Sequence, residues 1–346
     1  MIFKPANMGS AYLKCGVQGF AGSGKSFSGT MIAIGLHQYI HSAKPITFLD
    51  SETGSDYLQN HFKSAGIDLM VGKTRAFVDL LEAIDEAEKT SDILVIDSIT
   101  HFWNELVEAY GKKRGKKRLT LKDWSEIKPE WHQFTNRYLN SRLHILMLGR
   151  AGWDWSQEED EEGVKELTKT GTKMKVETDL GYEPSLSIEM ERVHANGKIG
   201  SSFDYRGWIL KDRFNIINGE FQSFKPSKDD KLILGIENPV FKFVLPHIRA
   251  LNLGGEQSTI DSNGKTGELF NTDRSMAEMF KKREIALEEI EDQITLLYPG
   301  RDAESNKAKI NLLKNLFGTS AWTGIKSMPL EKILEAQKKL MEKETV

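Results

Sequence analysis

One glycine-rich segment constrains the fold of this chain more than any other feature. Residues 19–26 read GFAGSGKS and fit the pattern G-x-x-x-x-G-K-[ST] at every defined position. Glycines let the backbone curl so that successive N–H groups converge on an anion, and a following helix adds its positive N-terminal end. The apolar run 12–17 predicts a strand before the loop, and residues 25–41 predict a helix after it. The segment therefore predicts a phosphate-binding loop (P-loop) in an α/β domain.

The residues of this loop have distinct expected roles. Lys25 is expected to reach the β- and γ-phosphates of ATP and to take part in catalysis. The Ser26 hydroxyl is expected to ligate Mg²⁺, which keeps several of its waters in protein sites. ATP and Mg²⁺ are therefore the predicted cofactors. The loop residues predicted to bind the nucleotide are Gly19, Phe20, Ala21, Gly22, Ser23, Gly24, Lys25 and Ser26.

Acidic residues follow two further apolar runs. Asp97 ends the run ILVI at 93–96, and an unpaired buried carboxylate is costly, so we expect it to complete the Mg²⁺ site. The alternative is that Asp97 caps the helix that follows. Glu52 lies just past a strand predicted at 45–50, at the edge where ligands bind in parallel sheets. We expect Glu52 to orient the water that attacks ATP, with Asp50 as the competing candidate.

Arg150 follows a buried strand predicted at 143–148. Its position predicts a contact with the γ-phosphate, because a fixed cation there would stabilise the charge that develops in phosphoryl transfer. A structural ion pair is the alternative interpretation.

Patterning along the chain predicts the fold class. Apolar runs alternate with amphipathic stretches in the first half, which is typical of an α/β domain with a mostly parallel sheet. Shorter apolar stretches near 185–192, 207–210 and 221–224 predict an antiparallel extension. Polar residues rich in Gly, Ser, Thr and Asn predict a flexible linker, and helical spacing resumes beyond it. The expected domains are a P-loop ATPase at 1–253, a linker at 254–272 and a helical C-terminal region at 273–346.

Composition excludes several classes of protein. The net charge of −3 argues against a globally basic nucleic-acid binder but permits a local basic groove. The only cysteine, Cys15, allows neither a disulfide framework nor a cysteine-rich zinc site. No apolar stretch approaches the roughly 18 residues of a membrane span, so we expect a cytoplasmic protein without a membrane partner.

Three motifs in order resemble the core of RecA-type ATPases: residues 19–26, FLDSE at 48–52 and LVIDS at 94–98. In that family the acid after the second strand is the catalytic carboxylate, which favours Glu52 over Asp50. Segments at 119–124, 140–150, 182–192 and 210–213 are similar to RecA-like ATPases of bacteriophages that act in recombination or single-strand annealing. The resemblance covers roughly residues 10–250, and it implies a RecA-type P-loop core, ATP hydrolysis and a location in the host cytoplasm.

The end of the chain carries a second resemblance. Residues 312–318, 321–322 and 325–340 are similar to the helical tail of some phage recombination and annealing proteins. This implies a recombination or replication protein as a partner of the tail. The alternative is a generic helical hairpin with Trp322 in its core.

A basic run follows the helix predicted after Asp97. By the resemblance it is the first DNA-contacting loop, and such a run can follow a phosphate backbone. The alternative is a solvated loop. The predicted nucleic-acid contacts are Lys112, Lys113, Arg114, Lys116, Lys117 and Arg118.

The second DNA-loop region by the resemblance follows Arg150. Trp153 and Trp155 lie there, and exposed tryptophans can stack on unpaired bases. Five consecutive acids at 158–162 also lie there, and they argue against DNA contact by that stretch because carboxylates repel phosphate. The region lacks the Asn-Gln pair of RecA and has Gly149 and Arg150 in its place.

Two lysines after the acidic run carry a further implication. In RecA-type filaments and rings a basic residue of one subunit completes the ATP site of its neighbour. The resemblance thus implies Lys173 or Lys175 as a trans nucleotide contact, and with it a homo-oligomer.

Three functions stay open from sequence. The first is an ATPase that acts on single-stranded DNA in recombination, annealing or replication. The second is an ATPase switch or motor that acts on a protein partner. The third is a nucleotide-binding scaffold that does not hydrolyse.

Overall fold

The computed structural model describes residues 11–116, 118–159, 165–195, 202–223, 235–256, 274–300 and 302–342. The chain divides into two compact units at residue 260. Most of the predicted linker, from 257 onward, lies outside the described residues. The division into an ATPase domain, linker and helical region therefore stays a prediction in its details.

The first unit is built on one nine-stranded sheet. Six strands from β3 to β7 run parallel in the order β3-β2-β4-β5-β1-β7, and β8 and β9 continue the sheet antiparallel, while β6 pairs antiparallel with β5. The strands are β1 Lys14–Gly19, β2 Ile46–Asp50, β3 Leu69–Lys73, β4 Ile93–Asp97, β5 His144–Glu159, β6 Lys165–Met174, β7 Leu186–His194, β8 Phe203–Asp212 and β9 Glu220–Ser223.

Helices cover both faces of this sheet and form two apolar cores. One core joins the sheet to α1 and α6, and the other joins it to α3, α4 and α5. The helices of the first unit are α1 Lys25–Tyr39, α2 Gln59–Ser64, α3 Phe77–Thr90, α4 Ile99–Lys113, α5 Leu121–Asn140 and α6 Pro239–Arg249. Because β4 is buried along its whole length, its sequence is a continuous apolar run up to Asp97 rather than an alternating one.

The second unit consists of helices around its own apolar core. These helices are α7 Arg274–Leu297, α8 Ala303–Phe317, α9 Trp322–Lys326 and α10 Leu330–Glu342. Ile290, Leu312, Ile325 and Ile333 are among its buried side chains. Among the described helices, none has the length and hydropathy needed to cross a bilayer.

The predicted fold class is confirmed: the chain has an α/β P-loop core with a mostly parallel sheet, an antiparallel part and C-terminal helices. The strand predicted at 143–148 is longer than expected, because β5 continues to Glu159. Sequence patterning also did not find β3, which lies at the sheet edge and is mostly exposed, so its residues are not uniformly apolar.

Three hairpins extend past the carboxyl edge of the parallel strands. From Ala151 onward β5 pairs only with β6, and from Glu191 onward β7 pairs only with β8. The third hairpin is α4–α5, in which Tyr110 of α4 donates to Asp123 near the start of α5 at 3.0 Å.

The direction of the α4–α5 hairpin follows from its contacts with α3. The Trp131 ring stacks on Phe77 at the start of α3, and Arg137 pairs with Asp85 further along it. Since α3 starts at the carboxyl edge, the first ten residues of α5 extend beyond that edge. The turn that carries the predicted basic run therefore lies on the same side of the sheet as the P-loop.

Candidate functional site

The P-loop lies between β1 and α1, as the sequence predicts. Gly24 adopts φ 90°, a left-handed conformation that costs glycine little, and it precedes the first residue of α1. Gly19 has no room for a side chain, because a Cβ there would lie 2.4 Å from the Met190 carbonyl oxygen. Lys25 folds back over the loop, with Nζ 3.3 Å from the Phe20 carbonyl oxygen. The loop is thus shaped to hold an anion beside the Lys25 ammonium group.

Two side chains with oxygen atoms that can ligate a metal ion lie in contact beside this loop. The Ser26 hydroxyl donates to Asp97 Oδ2 at 2.6 Å, although the residues lie on different elements. Asp97 is only 2% exposed, and burial raises the pKa of its carboxyl group to about 6, while the Ser26 hydrogen bond and Lys25 oppose that rise. A hydroxyl and a carboxylate beside an open cleft fit Mg²⁺, which uses one or two protein oxygens together with water and phosphate. Ser26 and Asp97 would hold the ion.

Asp50 has a structural role that its sequence position does not reveal. Its carboxylate accepts hydrogen bonds from the backbone N–H groups of Glu52, Gly54 and Ser55 and from the Ser55 hydroxyl. Burial raises the pKa of Asp50, but these hydrogen bonds together lower it by more than burial raises it. The pKa of Asp50 therefore lies below its usual value. Asp50 therefore fixes the turn that carries Glu52 and has little freedom to act on a substrate.

Glu52 lies in the cleft, held by two neighbours. Its Oε1 lies 2.8 Å from Arg150 Nε and 3.5 Å from His101 Nε2. Burial and the positive charge of Arg150 lower the pKa of His101, and the other ring nitrogen of His101 lies 2.9 Å from the Ser51 hydroxyl. Both interpretations of Arg150 thus have support: it lines the nucleotide cleft and it forms an ion pair with Glu52.

The cleft above the P-loop has a volume of about 800 Å³. It brings together residues from the P-loop, the β2 turn and the base of the β5–β6 hairpin, among them Lys25, Glu52, Arg150 and Lys175. Burial lowers the pKa of Lys25 and Arg150 does so too, whereas Asp97 and Glu52 raise it. The cleft therefore combines three cations with the carboxylate of Glu52, and the buried carboxylate of Asp97 lies beside Ser26, a set of charges that fits a magnesium–triphosphate group.

The family model for the AAA domain matches residues 11–205, more than half of the chain. The chain belongs to this AAA-domain family. It is therefore a P-loop ATPase domain of AAA type, a class that binds ATP with Mg²⁺. A comparison with curated proteins returns no significant match. The bacteriophage RecA-like resemblance is finer than the family match and stays a prediction.

Lys173 and Lys175, the two lysines predicted to contact the nucleotide of a neighbouring subunit, have different surroundings in the AAA domain. Lys173 forms an ion pair with Asp154 at 2.7 Å, whereas Lys175 lines the cleft of its own P-loop. The match to the family does not test a role for either lysine across a subunit interface.

The basic run of the AAA domain is partly paired within the chain. Lys112 lies 3.7 Å from Glu108, Arg114 lies 2.9 Å from Glu126 and Lys116 lies 2.9 Å from Asp123. Lys113 and Arg118 are exposed, and Lys117 lies outside the described residues.

Sequence patterning missed several residues at the P-loop of this AAA domain. An Arg192 nitrogen lies 3.1 Å from the position a Cβ would take at Gly22, and the Tyr205 ring lies 3.2 Å from that position at Gly24. Both residues come from the projecting part of β7–β8. Tyr57 and His61 line the cleft from the other side. The sequence gives no sign that Arg192 and Tyr205 approach the loop, because they do so only through the pairing of distant strands.

Proposed function

We propose that this AAA domain hydrolyses ATP and that hydrolysis is coupled to binding of single-stranded DNA. The observation that carries the coupling is an aromatic contact between the P-loop and the β5–β6 hairpin. The Phe20 ring of the P-loop lies 5.0 Å from the Trp153 ring of that hairpin. A change in the P-loop on nucleotide binding would therefore reach the hairpin directly.

The hairpin presents a surface suited to unpaired bases. Trp153 and Trp155 are 47% and 51% exposed, which is unusual for tryptophan. Lys169 Nζ lies 4.3 Å from the centroid of the Trp153 ring and 5.4 Å from that of Trp155. Exposed aromatic rings beside a cation combine base stacking with attraction to the phosphate backbone.

The cleft supports a hydrolytic cycle in which Glu52 changes partner. Arg150 holds the Glu52 carboxylate, and the γ-phosphate of ATP would compete for the same guanidinium group. Once released, Glu52 orients the attacking water, while Lys25 and Arg150 neutralise charge on the transferred phosphoryl group. Mg²⁺ held by Ser26 and Asp97 would neutralise part of the phosphate charge.

A protein partner is the second candidate function. Pairing of Lys112, Arg114 and Lys116 with carboxylates of the same chain favours it, since those cations are already partly neutralised. The pairs of Lys112 and Arg114 are exposed and contribute little free energy, however, so phosphate can displace their carboxylates at small cost. Single-stranded DNA therefore stays the leading candidate.

Affinity for DNA in different nucleotide states tests the coupling. Fluorescence anisotropy of a labelled single-stranded oligonucleotide would be measured without nucleotide, with ADP and with a non-hydrolysable ATP analogue, each with Mg²⁺. We expect the affinity to change between the ADP and ATP-analogue states in the wild type and to be insensitive to nucleotide in Lys25→Ala. Equal DNA affinity in all states would refute the coupling, and no binding of DNA would favour a protein partner.

A further inference from the structure

Lys175 is an exposed cation at the wall of the nucleotide cleft. It directly follows β6, and its backbone N–H donates to the Arg150 carbonyl oxygen at 2.8 Å. This hydrogen bond fixes Lys175 beside Arg150 at the base of the β5–β6 hairpin. Among the described residues no carboxylate forms an ion pair with Lys175, although Glu52 lies in the same cleft. Its charge is thus available to a ligand.

The path of the Lys175 side chain depends on a glycine in the opposite strand. A Cβ at Gly152 would lie 2.7 Å from Lys175 Cε and 3.0 Å from Lys175 Cγ. The aliphatic part of Lys175 therefore runs directly over the Gly152 backbone. A larger residue at that position would displace the lysine from this path.

Lys173 lies two residues earlier and provides a natural comparison. Because side chains alternate along a strand, Lys173 and Lys175 have the same orientation relative to the hairpin. Lys173 is paired with Asp154 and is not among the residues that line the cleft, whereas Lys175 is. One of these similar lysines thus belongs to the ATP site and the other to the hairpin surface.

The geometry points to Lys175 as a residue that binds the phosphate groups of a nucleotide held by the P-loop of the same chain. Together with Lys25 and Arg150 it would surround the triphosphate with cations from three separate elements. This differs from a contact donated by a neighbouring subunit, because the site of a single chain already contains the lysine. The inference rests on ATP binding by the domain, the first part of the proposed function.

Direct binding of a fluorescent ATP analogue with Mg²⁺ tests the phosphate contact. Lys175→Ala is expected to weaken binding about tenfold, because one charge-assisted hydrogen bond to phosphate is lost. Lys175→Arg should recover most of the affinity, and Lys173→Ala should leave it unchanged. Thermal unfolding without nucleotide should be the same for all these variants, since Lys175 is exposed.

Mixing two variants separates a contact within the chain from one across an interface. Lys175→Ala is titrated with nucleotide in the presence of excess Lys25→Ala, whose own P-loop is defective but whose Lys175 is intact. Within-chain action predicts that the weakened affinity of Lys175→Ala does not recover. Recovery of wild-type affinity would show that Lys175 acts on a neighbouring subunit and would overturn the inference.

The remaining outcomes are also decisive. Wild-type affinity in Lys175→Ala alone would overturn this inference and leave the proposed function intact. Failure of the wild-type protein to bind ATP would refute both.

Discussion

Three carboxylates at one edge of the sheet have different roles, because each has different hydrogen-bond and ion-pair partners. Asp50 is saturated with hydrogen bonds from the turn, Asp97 is buried against Ser26, and Glu52 is held in the cleft by Arg150. Sequence patterning placed Asp50 and Asp97 at the ends of buried strands and Glu52 just past one, where the structure also has them. It could not separate Asp50 from Glu52, because hydrogen bonding within a five-residue turn depends on backbone geometry.

Replacement of Glu52 tests this division of roles. Glu52→Gln should reduce ATP turnover by about 100-fold or more while ATP still binds, because the amide cannot polarise the attacking water. Asp50→Asn should instead lower the thermal unfolding temperature, since the amide accepts fewer of the four hydrogen bonds. Turnover by Glu52→Gln at the wild-type rate would contradict the assignment.

Acid sensitivity should depend on His144, a residue remote from the cleft. Its Nδ1 accepts a hydrogen bond from the Leu13 N–H at 2.9 Å, and burial followed by the charge of Lys14 lowers its pKa to about 4, against the opposing effect of Asp92. The folded state therefore binds fewer protons than the unfolded state between pH 6.5 and 4. Stability due to this residue is full above pH 6.5 and is lost as the pH falls toward 4.

The size of this loss is measurable by urea unfolding. Between pH 7 and pH 5 the wild type should lose about 2 kcal/mol through His144 alone. His144→Asn keeps an acceptor for Leu13 without the titration, so its loss over the same interval should be smaller by that amount. Equal losses in the two proteins would show that the pKa of His144 is the same in the folded and unfolded states.

Elements buried in the core were predictable, and elements that project from it were not. The strand before the P-loop and α1 follow from the glycine-rich turn between them, and β4 follows from a continuous apolar run. The β5–β6 hairpin does not follow, because its two strands pair with each other outside the apolar core. Most of its residues are polar or charged, which is typical of a loop. The contacts of Phe20, Arg192 and Tyr205 at the P-loop could not be predicted from the sequence either.

The β5–β6 hairpin should contribute directly to DNA affinity. Trp155→Ala should weaken binding of single-stranded DNA about tenfold, because stacking on one base contributes about 1–3 kcal/mol. Leu167→Ala is the matched control, since Leu167 is 70% exposed on the same hairpin and has no aromatic ring. Titration monitored by anisotropy should show a change only in the first variant. Equal affinity of both variants would exclude Trp155 from the DNA contact.

For the molecule as a whole, the nucleotide site is contained in the first compact unit. The described residues that line the cleft run from Gly19 to Lys175, and the second unit has its own core of apolar side chains. The polar segment at 254–272 predicted a boundary between two parts of the chain. A recombination or replication protein as partner of the C-terminal helices stays a prediction.

A chain ending at residue 260 should therefore keep its ATP site. We expect it to unfold cooperatively and to bind ATP with the affinity of the full chain, since none of the cleft residues is removed. The comparison requires thermal unfolding and nucleotide titration of both proteins. A large loss of ATP affinity in a folded truncated protein would show that the second unit contributes to the site.

If the proposed coupling is correct, ATP hydrolysis in the cleft responds to single-stranded DNA. The most direct measurement is the steady-state ATPase rate with Mg²⁺, with and without single-stranded DNA, in the wild type and in Lys25→Ala. We expect DNA to stimulate hydrolysis in the wild type, and we expect hydrolysis to be lost in Lys25→Ala under both conditions. Hydrolysis that is unaffected by DNA would contradict the coupling, and ATP binding without hydrolysis would contradict the catalytic role of Glu52.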